Sequence, residues 1–461
     1  MSPDPKPTAD ATAHADAHAD GTADAIAATL QRAMQCQQAG RLDDADQHYR
    51  QVLAQAPRHA DALHLLGVLQ AQRRDFVQAQ DLIWQAITVK PDEAMFHNNL
   101  ANVCIERGLL AEAEPLYVRA IELDGGRLDA LSNLGLLLAR TGRTADAERL
   151  LLRAVELAPD NPDWRQNLAN LYLKLGRETD ALQQCHDGLV IAPRSRVLRA
   201  LLVLAYGSFG HLDRAAQVLR AWVKAEPDDP YPRHHLAACT GEQVPERASD
   251  QYVASVFDGF ARSFDAKLAD LSYQAPALVA AAVASLAGLP TKALDLLDAG
   301  CGTGLCGPLL APFAKKLVGV DLSEGMLRGA VERGDYDELF QGELVAFLEA
   351  CPGGFDGVAS ADTLCYFGAL AHFAAAAKAA LRPGGWLVFT VEALQVDSIQ
   401  NAAPESGYRL QGHGRYSHSQ AYVSKSLLQA GLQDVATQAV VLRNEGGKPV
   451  DGWLVSARAP C

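Results

Sequence analysis

The sequence predicts two domains of different class, an all-α solenoid of paired helices and then an α/β doubly wound domain that ends in an antiparallel hairpin. Three observations predict this. Turn residues recur every 34 positions through the first half. From Leu294 onward, short apolar runs alternate with helix-like segments, as in a parallel sheet with crossover helices. Near the end, two strand-like runs flank Glu445-Gly-Gly-Lys448.

At 461 residues the chain is long enough for two or three domains, and 49% hydrophobic residues supply their cores. A formal charge of −14 speaks against broad nucleic-acid binding, which needs clustered Lys and Arg. The nine cysteines contain no Cys-x-x-Cys pair, which fits a reducing cytoplasm with buried thiols and no zinc site. No basic-then-apolar leader opens the chain, and no apolar run reaches the roughly eighteen residues of a membrane span. Residues 1–23 are rich in Pro, Asp, Ala and Thr and are expected to lack structure; His14 and His18 there have no further metal ligands nearby. No metal is expected.

The repeat elements follow in order. Gly40, Arg74, Gly108, Gly142, Gly176 and Gly210 stand 34 residues apart. Ala45, Ala79, Ala113, Ala147, Ala181 and Ala215 share that spacing, as do Pro57, Pro91, Gly125, Pro159, Pro193 and Pro227. The glycine closes the first helix of each pair, the proline stops the second, and the alanine lets the two approach. This period is similar to the tetratricopeptide repeat. Six repeats and a capping helix fill 24–240, with looser turns expected at Arg74 and Gly125. Such arrays expose a concave face. Asn99, Asn133 and Asn167 recur at one helical position. They resemble the asparagine ladder in the repeat arm of O-linked N-acetylglucosamine transferases, which holds peptide backbone; equally, asparagine suits this position of the repeat. The resemblance implies a protein or peptide partner on the concave face, and alanine at all three positions should weaken binding while leaving folding intact.

Residues 241–250 read as a polar linker, and a second domain fills 251–461. Its first helix carries Tyr252, Phe257, Phe260 and Phe264. Their spacing fits a core stripe as well as a cover over a ligand. Strand 294–299 leads into Gly300-Cys301-Gly302-Thr303-Gly304, a helix is expected over 304–314, and strand 316–320 ends at Asp321-Leu322. Glycines there allow positive φ and close approach of a ligand to backbone, and the following helix turns free N–H groups toward it. A carboxylate at Asp321 suits ribose hydroxyls. Gly302-Thr-Gly-Leu-Cys-Gly307 also fits the dinucleotide pattern G-x-G-x-x-G. Asp298, just before the turn, favours a cationic amino-acid group there and would repel a pyrophosphate.

Downstream, Leu381-Arg-Pro-Gly-Gly-Trp386 reads as a turn into a fifth strand. With Asp298, the glycine turn and Asp321 in register before it, the segment resembles the class I S-adenosylmethionine-dependent methyltransferases, some of them fused to tetratricopeptide arrays. The resemblance implies a seven-stranded Rossmann-like sheet and S-adenosylmethionine as cofactor. Asp298, Gly300, Cys301, Gly302 and Gly304 would hold its amino-acid part, and Asp321 and Leu322 the ribose. Met326 would lie on adenine or simply in the core. Glu343 stands where the family often has Asp against the adenine amine, or opens a helix. Tyr252 and Phe257 would cover the sulfonium. Asp362 and Tyr366, at the end of the fourth strand, border the methyl group. The segment 408–422, expected as a loop, offers His413, Arg415, Tyr416 and His418 for acceptor recognition, or only a solvated surface. Asp362, Tyr366 or His413 would act as base for an acceptor that must lose a proton. The site lacks Asn-Pro-Pro-Tyr, which argues against base amino-methylation, and Pro-Cys, which argues against cytosine C5 chemistry. Three functions remain open: a protein methyltransferase, a small-molecule methyltransferase docked by its array, and a non-catalytic scaffold.

Overall fold

The computed structural model describes residues 9–395 and 406–461, and all of their side chains except those of 9–23, 262 and 270. The chain divides into two compact units, Met1–Leu201 and Leu202–Cys461. The division falls earlier than the linker expected at 241–250. Among the described residues no helix is long and apolar enough to cross a membrane.

The first unit is built of antiparallel helix pairs: α1 (Ala9–Gln38) with α2 (Leu42–Gln55), α3 (Ala60–Gln72) with α4 (Phe76–Val89), α5 (Ala94–Glu106) with α6 (Leu110–Leu123), α7 (Leu128–Arg140) with α8 (Thr144–Leu157), and α9 (Pro162–Lys174) with α10 (Glu178–Ile191). The repeat alanines Ala79, Ala113 and Ala147 are fully buried where paired helices meet. Space is short at these contacts. A Cβ on Gly67 would stand 2.6 Å from Ile83, and one on Gly135 2.9 Å from Leu151.

Two sequence expectations change here. The turn at Arg74 is not looser. Arg74 adopts the left-handed conformation (φ 64) that glycine takes at Gly108 (φ 75) and Gly142 (φ 85), and the turn keeps its hydrogen bond, Asp75 N to Gln70 O at 2.9 Å. Gly125 likewise leaves a closed turn, Arg127 N to Asp124 O at 3.1 Å, because the preceding helix already ends at Leu123 without proline. Helix α1 also reaches back to Ala9, into the segment expected to lack structure. Alanine, which dominates that stretch, is the strongest helix former. The His14 and His18 side chains lie outside the described residues.

Helix α11 (Arg196–Ser208) spans the division, and α12 (Leu212–Ala225) and α13 (Pro230–Thr240) belong to the second unit. There follow α14 (Asp250–Phe260), α15 (Phe264–Asp270), α16 (Ala275–Ala287), β1 (Leu294–Ala299), α17 (Gly307–Leu310), β2 (Ala314–Asp321), α18 (Glu324–Arg333), β3 (Glu338–Gln341), α19 (Leu344–Glu349), β4 (Phe355–Ser360), α20 (Ala371–Ala380), β5 (Leu381–Ala393), β6 (Tyr408–Leu410), β7 (Tyr416–His418), α21 (Gln420–Gln429), β8 (Gln433–Glu445) and β9 (Lys448–Arg458). Strands β3-β2-β1-β4-β5 are parallel neighbours. Antiparallel β9 pairs with β5 over Trp386–Glu392 and carries β8 outside it.

These seven strands are joined by two that were expected as a loop. Strand β7 pairs with the end of β5 at Glu392 and Ala393, and β6 folds back on β7. Successive residues of β1 serve opposite cores: Leu296 belongs to the one that includes Val279, Val283 and Leu310, and Leu297 to the one that includes Leu348, Phe373 and Leu427. The helix expected over 304–314 is only the short α17, because Gly302 and Gly304 hold positive φ and Pro308 opens the helix late.

Candidate functional site

At the carboxyl ends of β1, β2 and β4 a cavity of about 280 Å³ opens among Gly300, Gly302, Asp321, Met326, Asp362 and Phe257. This is where open α/β sheets place ligands. Gly300, Gly302 and Gly304 all take positive φ (78, 54 and 87), but they serve different ends. A Cβ on Gly300 would lie 2.2 Å from the Thr363 hydroxyl, so this glycine lets β1 and β4 close together. Gly304 packs on Tyr336 and Arg333 and does not face the cavity. A Cβ on Gly302 would meet only Phe264, 4.0 Å away. Its missing side chain is therefore cavity.

Asp321 ends β2 with its carboxylate on the cavity wall. Its Oδ2 accepts from Gly302 N at 2.9 Å and its Oδ1 from Ser323 N at 2.8 Å. Burial pushes its pKa up while these backbone donors pull it down, and the net direction is up. Leu322, Met326 and Cys301 line the cavity nearby. Glu343 also lines it, yet both its oxygens cap α19, accepting from Val345 N at 3.0 Å and Ala346 N at 2.8 Å.

Asp298 is a correction. It stands behind the glycine turn, 1% exposed and outside the cavity lining. Its Oδ2 accepts from the Tyr336 hydroxyl at 2.6 Å, while its Oδ1 has no partner among the described residues. Burial drives its pKa up to about 7, opposed by the Tyr336 hydrogen bond.

Helices α14 and α15 close the cavity from above. Phe257 meets Tyr366 edge-on at 5.4 Å and Phe264 at 5.9 Å. Two acids fasten this cover. Asp258 accepts from the Ser323 hydroxyl at 2.5 Å and from Gly325 N at 3.1 Å. Asp265 accepts from Thr303 and Arg333, both at 2.6 Å. Tyr252 is the exception on this helix: it turns away from the cavity, its ring stacked on His234 at 4.0 Å and its hydroxyl 3.1 Å from His235 Nε2.

The far wall is ionic. Asp362, two residues past β4, takes a left-handed conformation (φ 59), which aspartate visits more readily than most side-chain-bearing residues. Arg443 of β8 grips Asp362 Oδ2 and also Glu392 and Glu445. Arg415 reaches Glu392 at 2.6 Å and Glu445 at 2.8 Å. Asp362 Oδ1 has no partner among the described residues. Burial raises the Asp362 pKa, against the pull of Arg443. Burial would raise Glu392 too, but Arg415 and Arg443 hold it below the usual carboxylate range.

Of the acceptor candidates, only Arg415 lines the cavity with Asp362 and Tyr366. His413 stays exposed at the margin, 3.6 Å from Glu392. Tyr416 and His418 are fully buried in β7, the hydroxyl bonded to Pro245 O at 2.7 Å and the imidazole 3.1 Å from Gly368 O. Pairing with β5 converts the expected loop into core. Sequence reasoning missed Arg443, Glu445, Asp258 and Asp265. A charge ending the apolar run Val440-Val-Leu-Arg443 was the one available signal.

In the first unit the three asparagines are half-buried and bonded to neighbouring repeats. Asn99 Nδ2 lies 2.9 Å from His64 Nε2, Asn133 donates to Asn102 at 3.0 Å, and Asn167 to Ser132 at 2.8 Å.

A methyltransferase-domain family model matches residues 271–437. Tetratricopeptide-repeat models match 92–160 and, separately, 37–103 and 138–202. The chain carries a methyltransferase domain behind tetratricopeptide repeats. That domain is similar to the ubiquinone biosynthesis O-methyltransferase of Thiobacillus denitrificans, 31% identical over 32% of this chain and 65% of that protein. It is also similar to the biotin biosynthesis bifunctional protein BioHC of Teredinibacter turnerae, 30% identical over 31% and 26%. With the human methyltransferase-like protein 27 it shares 44% identity over 18% and 34%. The chain thus spans between about a quarter and two thirds of these relatives. The helical repeats are similar to the crystal structure of PilW, a type IV pilus biogenesis factor, at 20% identity over 45% of this chain and 97% of that one, TM-score 0.42.

Proposed function

We propose that the methyltransferase domain uses S-adenosylmethionine to methylate a protein or peptide brought by the repeat array. The observation that carries the cofactor is the side-chain-free space at Gly302 directly beside the Asp321 carboxylate. A nucleoside there would meet backbone at van der Waals distance and an acceptor for its ribose hydroxyls. Bound, S-adenosylmethionine supplies an electrophilic methyl group on sulfur.

The chain's own residues do the rest. The Asp321 oxygens each accept one backbone N–H and keep lone pairs for hydroxyl donors. Leu322, Met326 and Leu344 offer an apolar seat for a base. Phe257, Phe260 and Phe264 exclude water, and positioning supplies much of the acceleration in such a transfer. Asp362 Oδ1, without a partner among the described residues, is the acceptor for a proton on the incoming nucleophile. The Arg443 contact on Oδ2 holds that carboxyl in place. Tyr366 closes the same corner.

The second reading, a small-molecule acceptor, is favoured by the likeness to the ubiquinone biosynthesis O-methyltransferase. The test is calorimetry with S-adenosylmethionine on the full chain and on Asp321→Ala, followed by transfer of labelled methyl into a cell lysate. Binding lost in the variant, with label on a polypeptide, is the expected result. Label only in a small product would favour the second reading. No binding, or equal binding by the variant, overturns the cofactor assignment.

A further inference from the structure

Helix α13 carries two adjacent, nearly buried histidines, His234 and His235, which are 6% and 7% exposed. They point at one turn far along the chain. His234 Nε2 lies 2.8 Å from Gly414 O. His235 sets its Nε2 3.1 Å from the Tyr252 hydroxyl and packs its ring 3.1 Å from where a Cβ on Gly414 would stand. Burial lowers the pKa of both rings, His235 to about 3, so they stand neutral, each with one N–H to give.

The turn they hold is tight. Gly414 N donates to Gln411 O at 2.8 Å, and Gln411 N to Arg415 O at 2.9 Å. Gly414 takes φ 87, and a Cβ on it would lie 2.6 Å from the Tyr252 hydroxyl and 3.1 Å from the His235 ring. The next residue is Arg415, which enters the cavity wall and grips Glu392 and Glu445. On the other side, Tyr252 belongs to α14, the helix that lays Phe257 over the cavity. The segment after α13 is fastened as well: Ala248 N donates to Tyr366 O at 2.8 Å, and Gly368 N and Ala369 N donate to Glu246 O at 2.8 and 2.7 Å.

We propose that α13, the last helix of the repeat pattern, supports the catalytic site from outside it, with His234 and His235 as positioning residues that fix the Gln411–Arg415 turn and, through it, the Arg415 side of the cavity. The proposal rests on the reading of this cavity as the methyl-transfer site. Two neutral imidazoles suit this role, because a nearly buried ring can bond the Gly414 carbonyl and its neighbour the Tyr252 hydroxyl without burying a charge.

The test uses the full chain and two readouts, amide exchange of the unliganded protein over 411–415 and calorimetric affinity for S-adenosylhomocysteine. His234→Ala should speed exchange of that turn about tenfold and weaken S-adenosylhomocysteine about fivefold. The unfolding midpoint should move by no more than about 2 °C. His234→Gln, which keeps a donor near the Nε2 position, should restore both. Tyr252→Phe, which removes only a hydroxyl, serves where alanine compromises folding and should shift both readouts the same way. Unchanged exchange and affinity in His234→Ala and Tyr252→Phe would overturn the proposal, as would failure of His234→Gln to rescue. A wild type that binds no S-adenosylhomocysteine refutes the methyl-transfer reading and this role with it. A binding wild type with unaffected variants refutes the clamp alone.

Discussion

The Tyr336 hydroxyl donates to Asp298 Oδ2 at 2.6 Å beneath the glycine turn, and this bond is the only one in the structure to that buried carboxyl among the described residues. Burial, the largest influence, raises the Asp298 pKa from 3.8 to about 7. The sign follows directly. Below about pH 4 the carboxyl is protonated in folded and unfolded chains alike. Between there and pH 7 the unfolded chain ionises while the folded one keeps its proton, so stability falls as pH rises, by about 1.4 kcal/mol per unit at most. The difference in unfolding free energy between wild type and Asp298→Asn should therefore shrink or reverse from pH 4.5 to 7. Chemical denaturation at stepped pH checks it, and a flat difference would remove the shifted carboxyl. Taking the difference matters because Glu392 and Glu445, both held below their usual range, drive stability the opposite way.

Two glycines of the same turn should respond differently to one methyl group. In Gly300→Ala the new Cβ would sit 2.2 Å from the Thr363 hydroxyl and 2.7 Å from its Cβ, so Thr363 or the backbone it stands on must move. Loss of folded second unit is expected. In Gly302→Ala nothing lies closer than 4.0 Å, so only the left-handed φ of 54 opposes it, at a cost of about 1–2 kcal/mol. That variant should fold and fail to bind S-adenosylmethionine. Circular dichroism with calorimetry separates the two outcomes; a Gly302→Ala chain that binds normally would place the cofactor elsewhere.

Removal of Arg443 should be costly in a way its neighbours do not share. Its side chain is 4% exposed and meets Asp362, Glu392 and Glu445, of which Glu392 is 5% exposed. Arg443→Met leaves Asp362 buried without a cation and Glu392 with Arg415 alone, and about 3–5 kcal/mol of stability is expected to go. The double change Arg443→Met, Asp362→Asn removes the stranded charge while Glu392 keeps Arg415, and should recover part of it. Denaturant midpoints give both numbers, and a double variant no better than the single one would show that charge is not the cause.

The contrast between what the sequence revealed and what it hid is a matter of range. Asp321 and the Gly300–Gly304 turn were legible because strand, turn and helix lie within one short stretch, where acid at a strand end and glycine spacing carry their own meaning. Repeat alanines were legible because the array repeats its contacts. Tyr416 and His418 were misread because their partners are Pro245, Gly368 and β5, all distant in the chain. A polar, aromatic stretch then looks like a loop. Arg443 was missed for the same reason, since it contacts Asp362 from 81 residues away. Helical spacing placed Tyr252 and Phe257 on one helix but could not say that the two rings face opposite neighbours.

The asparagines of the repeat array change the experiment their spacing first suggested. Asn133 Nδ2 donates to Asn102 of the preceding repeat at 3.0 Å, and Tyr117 donates to the same Asn102 oxygen at 2.6 Å. Asn99 and Asn167 make corresponding links to His64 and Ser132. Alanine at all three positions thus unties neighbouring repeats, and folding should not be left intact. Each lost link between half-buried groups is worth about 0.5–1.5 kcal/mol. Repeat arrays sum their nearest-neighbour terms, so the triple variant should lose about 2–4 kcal/mol. Asn133→Asp would keep an acceptor where a donor is needed, facing the Asn102 oxygen with like polarity. It should be at least as damaging as Asn133→Ala. Denaturant unfolding of the single and triple variants measures this, and additive losses of that size would mean that weakened partner binding in the triple variant must be corrected for stability before it is credited to a peptide-holding role.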